Sequence, residues 1–151
     1  IPLSDNKVDV IISNCVINLS GDKDRVLKEA FRVLKPGGRF AVSDVVVRGE
    51  MPATIRKSME LWVGCIAGAL SEDDFRAKLA KAGFDGIGVE VTRVYDVDDA
   101  RAFLAAEGID AEAAAKDVDG RIVSAFVRAT KPASCCAPGC CARRGWRVCG
   151  Q

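Results

Sequence analysis

Apolar positions along this chain change period from one segment to the next. Val8, Val10, Ile11 and Ile12 form a short, nearly continuous apolar run, the pattern of a parallel strand covered on both faces. Val26, Leu27, Ala30, Phe31 and Leu34 then recur at helical spacing. Ser20 or Asp22 stands where a cap belongs, and Lys35-Pro36-Gly37-Gly38 ends the helix. Between Arg39 and Val47, the triplets Phe40-Ala41-Val42 and Val45-Val46-Val47 flank Ser43-Asp44 and predict a second buried strand. Strand, helix, strand in that order is a βαβ unit with a right-handed crossover.

Ile55, Met59, Trp62 and Ile66 fall at i, i+4, i+7 and i+11, which puts Cys65 on or beside a helix leading to the break at Gly68-Ala69-Leu70. Met59 and Trp62 at that spacing read as packing. Ser71 with Asp74 three residues on resembles a capping box, Leu70 and Phe75 can staple the entry, and Ala82-Gly83-Phe84 is a stop, so a helix is expected from Ser71 to Ala82. Ile87, Val89 and Val91 alternate as in a strand. Asp98 or Asp99 opens a helix with Ala100, Phe103 and Leu104 on one face, and Ile122 to Ala129 is a final strand. The expected fold is therefore α/β, with parallel strands from Val8 and Arg39 and an antiparallel closing pair near Ile87 and Ile122. Two units are expected: residues 1–130 as the folded part, and 131–151 as a tail. There Pro132, Ser134, Pro138 and repeated glycine break regular structure, and Arg143, Arg144 and Arg147 make a basic end expected to be disordered without a ligand.

Composition narrows the chemistry. At 151 residues and 49% apolar content the chain supports one α/β core. With 22 basic against 21 acidic side chains there is no global field to attract nucleic acid or an anionic membrane, and the Arg-rich end with Trp146 reads as a solvated tail. No apolar run approaches the ~20 residues that cross a bilayer, and the first residues lack the pattern of a signal peptide. A cytoplasmic, reducing setting is the expectation. Seven cysteines and no histidine then point to thiols acting as metal or metalloid ligands more than to a disulfide framework.

Cys15 follows directly on the first apolar run, at a strand's carboxyl end, where open α/β sheets bind ligands. Cys15 and Cys65 also fit a buried core, where cysteine is common. Cys135-Cys136 and Cys140-Cys141 flank Ala137-Pro138-Gly139. Adjacent Cα atoms lie ~3.8 Å apart, short of the ~4.4–6.8 Å of a disulfide, so these pairs suit capture of a thiophilic ion or bonding between pairs better than bonding within one. A reactive tail without a ligand is the plainer alternative.

Three ordered motifs carry a family resemblance: Ser13-Asn14-Cys15-Val16-Ile17-Asn18-Leu19; Arg32-Val33-Leu34-Lys35-Pro36-Gly37-Gly38-Arg39 with Ala41-Val42-Ser43-Asp44-Val45-Val46; and Glu60-Leu61-Trp62-Val63-Gly64-Cys65-Ile66-Ala67-Gly68-Ala69-Leu70. Together they resemble the C-terminal portion of arsenite methyltransferases, a branch of the class I S-adenosylmethionine-dependent methyltransferases, across roughly residues 1 to 130. The resemblance implies a partial doubly wound, Rossmann-like methyltransferase fold whose mixed sheet closes with antiparallel strands. It implies Cys15 and Cys65 as arsenic ligands, and S-adenosylmethionine as methyl donor. It also implies a thiol reductant, a small thiol or a thioredoxin-like protein. Asn14 is placed either to contact the cofactor or to cap the turn after the strand. The four tail cysteines Cys135, Cys136, Cys140 and Cys141 would hand arsenite to the site. The family's glycine-rich cofactor turn and a third cysteine have no counterpart between Ile1 and Gln151. A methyltransferase for another small molecule and a non-catalytic metalloid-binding protein are the competing functions.

Overall fold

The computed structural model describes residues 1–49, 68–96 and 120–133. Strand β1 (Val8–Asn14) leads through a 3-10 turn at Ile17–Leu19 into helix α1 (Lys23–Val33), which returns the chain to β2 (Leu34–Val47). A two-residue strand β3 (Leu70–Ser71) precedes helix α2 (Glu72–Ala82), followed by β4 (Asp85–Val94) and β5 (Ile122–Thr130). The sheet runs β1-β2-β5-β4. β1 is parallel to β2, both β5 pairings are antiparallel, and β3 extends the β1 side of β2 beyond Cys15. The parallel unit and the antiparallel closing pair are thus as the apolar pattern predicts.

Local chemistry sets the helix ends. The Asp22 carboxylate accepts from the Arg25 N–H at 2.9 Å, and Ser71 Oγ accepts from the Asp74 N–H at 3.0 Å; each satisfies an orphan donor. Gly83 ends α2 at φ 103°, and a Cβ there would press on the Phe31 ring at 3.0 Å, so both conformation and space favour glycine.

Strand β2 starts at Leu34, five residues before the expected Arg39. Leu34 pairs with Val8, Arg39 with Val10, and the intervening Lys35-Pro36-Gly37-Gly38 bulges out of register, a place where proline's missing N–H costs nothing. Lys131, placed by the sequence at the head of the tail, is anchored. Its ammonium donates to Asn6 Oδ1, Phe31 O and Leu34 O, each at 2.8 Å, satisfying all three hydrogens at the carboxyl end of α1.

One face of the sheet carries the core. Phe40, Val42 and Val46 of β2 and Val123, Ala125, Val127 and Ala129 of β5 alternate onto that face, against Leu27 and Ala30 of α1 and Phe75 and Leu79 of α2. The expectation that β1 is covered on both faces does not hold among the described residues. α1 and α2 pack on the same side, and β1 stands at the sheet edge. Ile11 therefore packs inward while Ile12 is 81% exposed. The opposite face gathers a smaller cluster of Val45, Val47, Ala69 and Ile122, with Cys15 and Tyr95 packed against it.

Candidate functional site

Among the described residues, the buried polar side chains Asn18 and Asp44 lie at the carboxyl end of β1, where parallel strands expose ligand sites. Cys15 carries a reduced thiol, is half-buried, and has a backbone φ of 51°. The left-handed region is uncommon for a residue with a Cβ and persists where the surroundings impose it. Here the Cys15 N–H donates to Ser43 O at 2.9 Å, prolonging the β1–β2 ladder past the strand end while the backbone turns away.

Beside it lies Asp44, 1% exposed, in the middle of β2 and directly opposite Ala125 of β5. Alternation with Val42 and Val46 points its carboxylate into the core face, where a charge needs donors. Asn18 Nδ2 donates to Oδ1 at 2.7 Å and the Val45 N–H to Oδ1 at 3.0 Å; the Asn18 N–H reaches Oδ2 at 3.4 Å. Hydrogen bonding from the Cys15 thiol also acts to lower the pKa of this carboxyl. Burial pushes the Asp44 carboxyl above its ordinary range, and these donors with the Lys23 ammonium offset part of that. Burial likewise lowers Lys23, with Asp44 acting in the opposite sense.

Asn18, 2% exposed, donates a second hydrogen to Val45 O at 2.7 Å. A carbonyl can only accept, so the amide orientation is fixed. Its Oδ1 is buried with no partner among the described residues. The Asn18 main chain is equally constrained: a Cβ on Gly68 would lie 1.9 Å from the Asn18 carbonyl oxygen, a separation only glycine allows.

Asn14 ends β1, pairs with Ser43 and is exposed. The 3-10 turn after it is entered through Val16 with no side-chain cap, so Asn14 does not cap that turn. Cys65, Met59, Trp62, the helix expected at Asp98 or Asp99, and Cys135, Cys136, Cys140, Cys141 and Trp146 all lie outside the described residues. Among the described residues no three His, Cys, Asp or Glu side chains converge as a metal site.

Sequence reading passed over three residues of this arrangement: Asp44, Asn18 and Gly68. The signal for Asp44 was present, since a carboxylate interrupting a run of buried β residues needs a partner.

A parallel βαβ unit closed by antiparallel strands, with its polar site at the carboxyl end of the first strand, defines part of a Rossmann-like methyltransferase fold. Residues 1–83 match the family described as methyltransferase domain, and the chain belongs to that family. The arsenite methyltransferase of Halobacterium salinarum is 38% identical over 133 residues, covering 88% of this chain and 32% of that protein. The human arsenite methyltransferase is 47% identical over 76 residues, covering 50% of this chain and 20% of that protein. The crystal structure of an arsenic(III) S-adenosylmethionine methyltransferase from Chlamydomonas reinhardtii superposes with a TM-score of 0.65 at 36% identity, covering 88% of this chain and 40% of that one. The chain thus spans about a third or less of the curated relatives named here.

Proposed function

We propose that this chain is the part of an S-adenosylmethionine-dependent arsenite methyltransferase that holds the arsenic, with Cys15 and Cys65 as its ligands. The observation that carries the reading is Cys15 itself, a thiol held in left-handed backbone at the carboxyl end of β1. Sequence similarity to arsenite methyltransferases across 88% of the chain supports it.

Trivalent arsenic is soft and pyramidal, with a lone pair opposite its three substituents. When the Cys15 sulfur bonds to arsenic, the S–H bond breaks, one As–O bond breaks, and hydroxide leaves as water carrying the thiol proton. A second thiol repeats the exchange. Cys65 stands three positions before Gly68 in the sequence. Gly68 abuts Asn18, itself three residues beyond Cys15. Two thiols on separate segments fix the direction of the lone pair, and alignment of that kind supplies much of the rate in a bimolecular transfer.

Asn14, Val16 at 61% and Ile12 at 81% exposure are the exposed side chains around the strand end that would face the adenosyl group. S-adenosylmethionine supplies an electrophilic methyl to the arsenic lone pair, and because transfer formally oxidises arsenic, a small thiol or thioredoxin-like reductant restores the trivalent state. Asn14 contributes a donor and an acceptor at the strand end, and Val16 and Ile12 exclude water beside it. The tail thiols Cys135, Cys136, Cys140 and Cys141 gather arsenite and are dispensable for turnover. No helix among the described residues is long and apolar enough to cross a membrane; the reducing setting that the thiols require makes a cytoplasmic location part of this proposal.

The test is methyl transfer from labelled S-adenosylmethionine to arsenite in a longer enzyme carrying this chain. Cys15→Ser should abolish the first methylation. Serine at the four tail positions should leave the saturated rate within a few-fold and slow turnover only at low arsenite. Undiminished turnover in Cys15→Ser would reject the site.

A further inference from the structure

β1 alternates its side chains between the two faces of the sheet, with Ile11 packed inward and Ile12 exposed on the other side. Carried past the strand end, that alternation would send Cys15 inward with Ile11. Cys15 instead packs against the cluster of Val45, Val47, Ala69 and Ile122 on the opposite face, and two residues later Ile17 has entered the main core. The departure occurs at the left-handed φ of 51° at Cys15, a conformation that persists where neighbouring contacts impose it. Asn18, in the 3-10 turn that follows, is fixed to β2. Its Nδ2 donates to Asp44 Oδ1 and to Val45 O, each at 2.7 Å, its N–H reaches Asp44 Oδ2 at 3.4 Å, and a Cβ on Gly68 would lie 1.9 Å from its carbonyl oxygen. Its Oδ1 is buried without a partner among the described residues, which costs stability, so the amide is oriented by the two bonds it donates.

We propose that Asn18, bound to Asp44 and Val45, is the positioning residue that keeps Cys15 turned out of the strand's alternation and onto the opposite face. At one end of the segment the Cys15 N–H donates to Ser43 O at 2.9 Å. At the other, three residues on, Asn18 donates to Asp44 and Val45 of the same strand. The left-handed turn is thus held as a short closed loop on β2, and releasing Asn18 frees the backbone to rotate Cys15 back toward ordinary strand geometry. The inference rests on the reading of Cys15 as an arsenic ligand, because the face on which the sulfur stands matters only to a group that must be met there.

The experiment uses the full chain with the tail cysteines Cys135, Cys136, Cys140, Cys141 and Cys149 replaced by serine. The three-bond HN–Hα coupling of Cys15 reads its φ, and hydrogen exchange at its amide reads how often the segment opens. Methyl transfer to arsenite is followed in the longer enzyme. The deciding variant combines Asn18→Leu with Asp44→Leu, so that both partners become apolar residues of similar shape. Paired replacement of that kind is nearly neutral for folding, and cooperative urea unfolding should persist. The Cys15 coupling should nevertheless average, its amide should exchange at least tenfold faster, and kcat at saturating arsenite should fall at least tenfold while KM changes less than threefold. A role in stability alone moves none of these readouts in a variant that stays folded. An unchanged coupling and exchange at Cys15, or kcat within twofold of the parent, would overturn the inference. If Cys15→Ser still methylates arsenite, the arsenic reading fails, and coupling and exchange alone decide the role of Asn18: averaged values with faster exchange uphold it, unchanged values overturn it. Should the double variant not fold, Asn18→Ser removes the amide and leaves Asp44 the Val45 N–H. Exchange at the Cys15 amide at least threefold faster is then expected, and unchanged exchange overturns the inference.

Discussion

At the amino end of β1, Glu29 and Asp5 share the half-buried Arg32 guanidinium, which also donates to the Leu3 and Ile1 carbonyls. At its carboxyl end, Asp44 is 1% exposed and takes its hydrogens from an amide and main-chain N–H groups. The carboxyl shifts are opposite. Hydrogen bonding from Arg32 holds Glu29 well below its ordinary range, whereas burial pushes Asp44 up. The first cluster fastens the leading residues to α1 and would serve that purpose with other ion pairs. The second surrounds a strained cysteine, where each donor has one place to go. The more exposed carboxylates keep water as an alternative partner, whereas the buried one depends on the donors that the fold supplies.

Breaking the buried end should cost most. Asp44→Ala leaves the Asn18 amide and the Val45 N–H without an acceptor in the core, a loss of roughly 2–3 kcal/mol in urea unfolding. Gly68→Ala places a Cβ 1.9 Å from the Asn18 carbonyl, so one of the two backbones must move. Overpacking of that kind costs about 1–3 kcal/mol, and the same variant should weaken arsenical binding. At the amino end the changes are smaller. Lys131→Ala removes the ammonium from the Phe31 and Leu34 carbonyls at the end of α1, worth about 1 kcal/mol.

Arg32→Ala should have the least effect at pH 7 and the clearest pH signature. The folded carboxyl of Glu29 lies below its ordinary value of 4.5, so its contribution is present above that value and disappears as pH falls toward about 2. The stability difference between parent and variant should therefore shrink across that interval, as followed by urea midpoints. A difference that holds constant down to pH 2 would show that Arg32 acts through Leu3 and Ile1 alone.

The elements were legible because each has a local cause. Asp22 and Ser71 cap as their spacing predicts, Gly83 stops α2, and the paired apolar alternation of β2 and β5 fixes which face is buried. What the pattern does not contain is which neighbour covers which face. Val10 and Ile12 look like the interior of a doubly covered strand, yet α1 and α2, the α-helices among the described residues, pack on the other side. The site was half visible. Cys15 and Asn14 stand out from their position after an apolar run, but the left-handed turn at Cys15 depends on Ser43 accepting its N–H across the sheet. Asn18 looks like a surface polar residue until the 3-10 turn folds it over Asp44, 26 residues away. Gly68 reads as a helix break, and only the approach of Asn18 shows why no larger residue fits.

Arsenical binding by the full chain, with serine at the five tail cysteines, tests the central claim most directly, because it reads Cys15 and Cys65 without requiring turnover. Phenylarsine oxide should bind with one-to-one stoichiometry, and Cys15→Ser and Cys65→Ser should each reduce affinity by at least a hundredfold, since loss of either thiol leaves a single As–S bond. Affinity unchanged in both variants would contradict the assignment of arsenic to these two thiols.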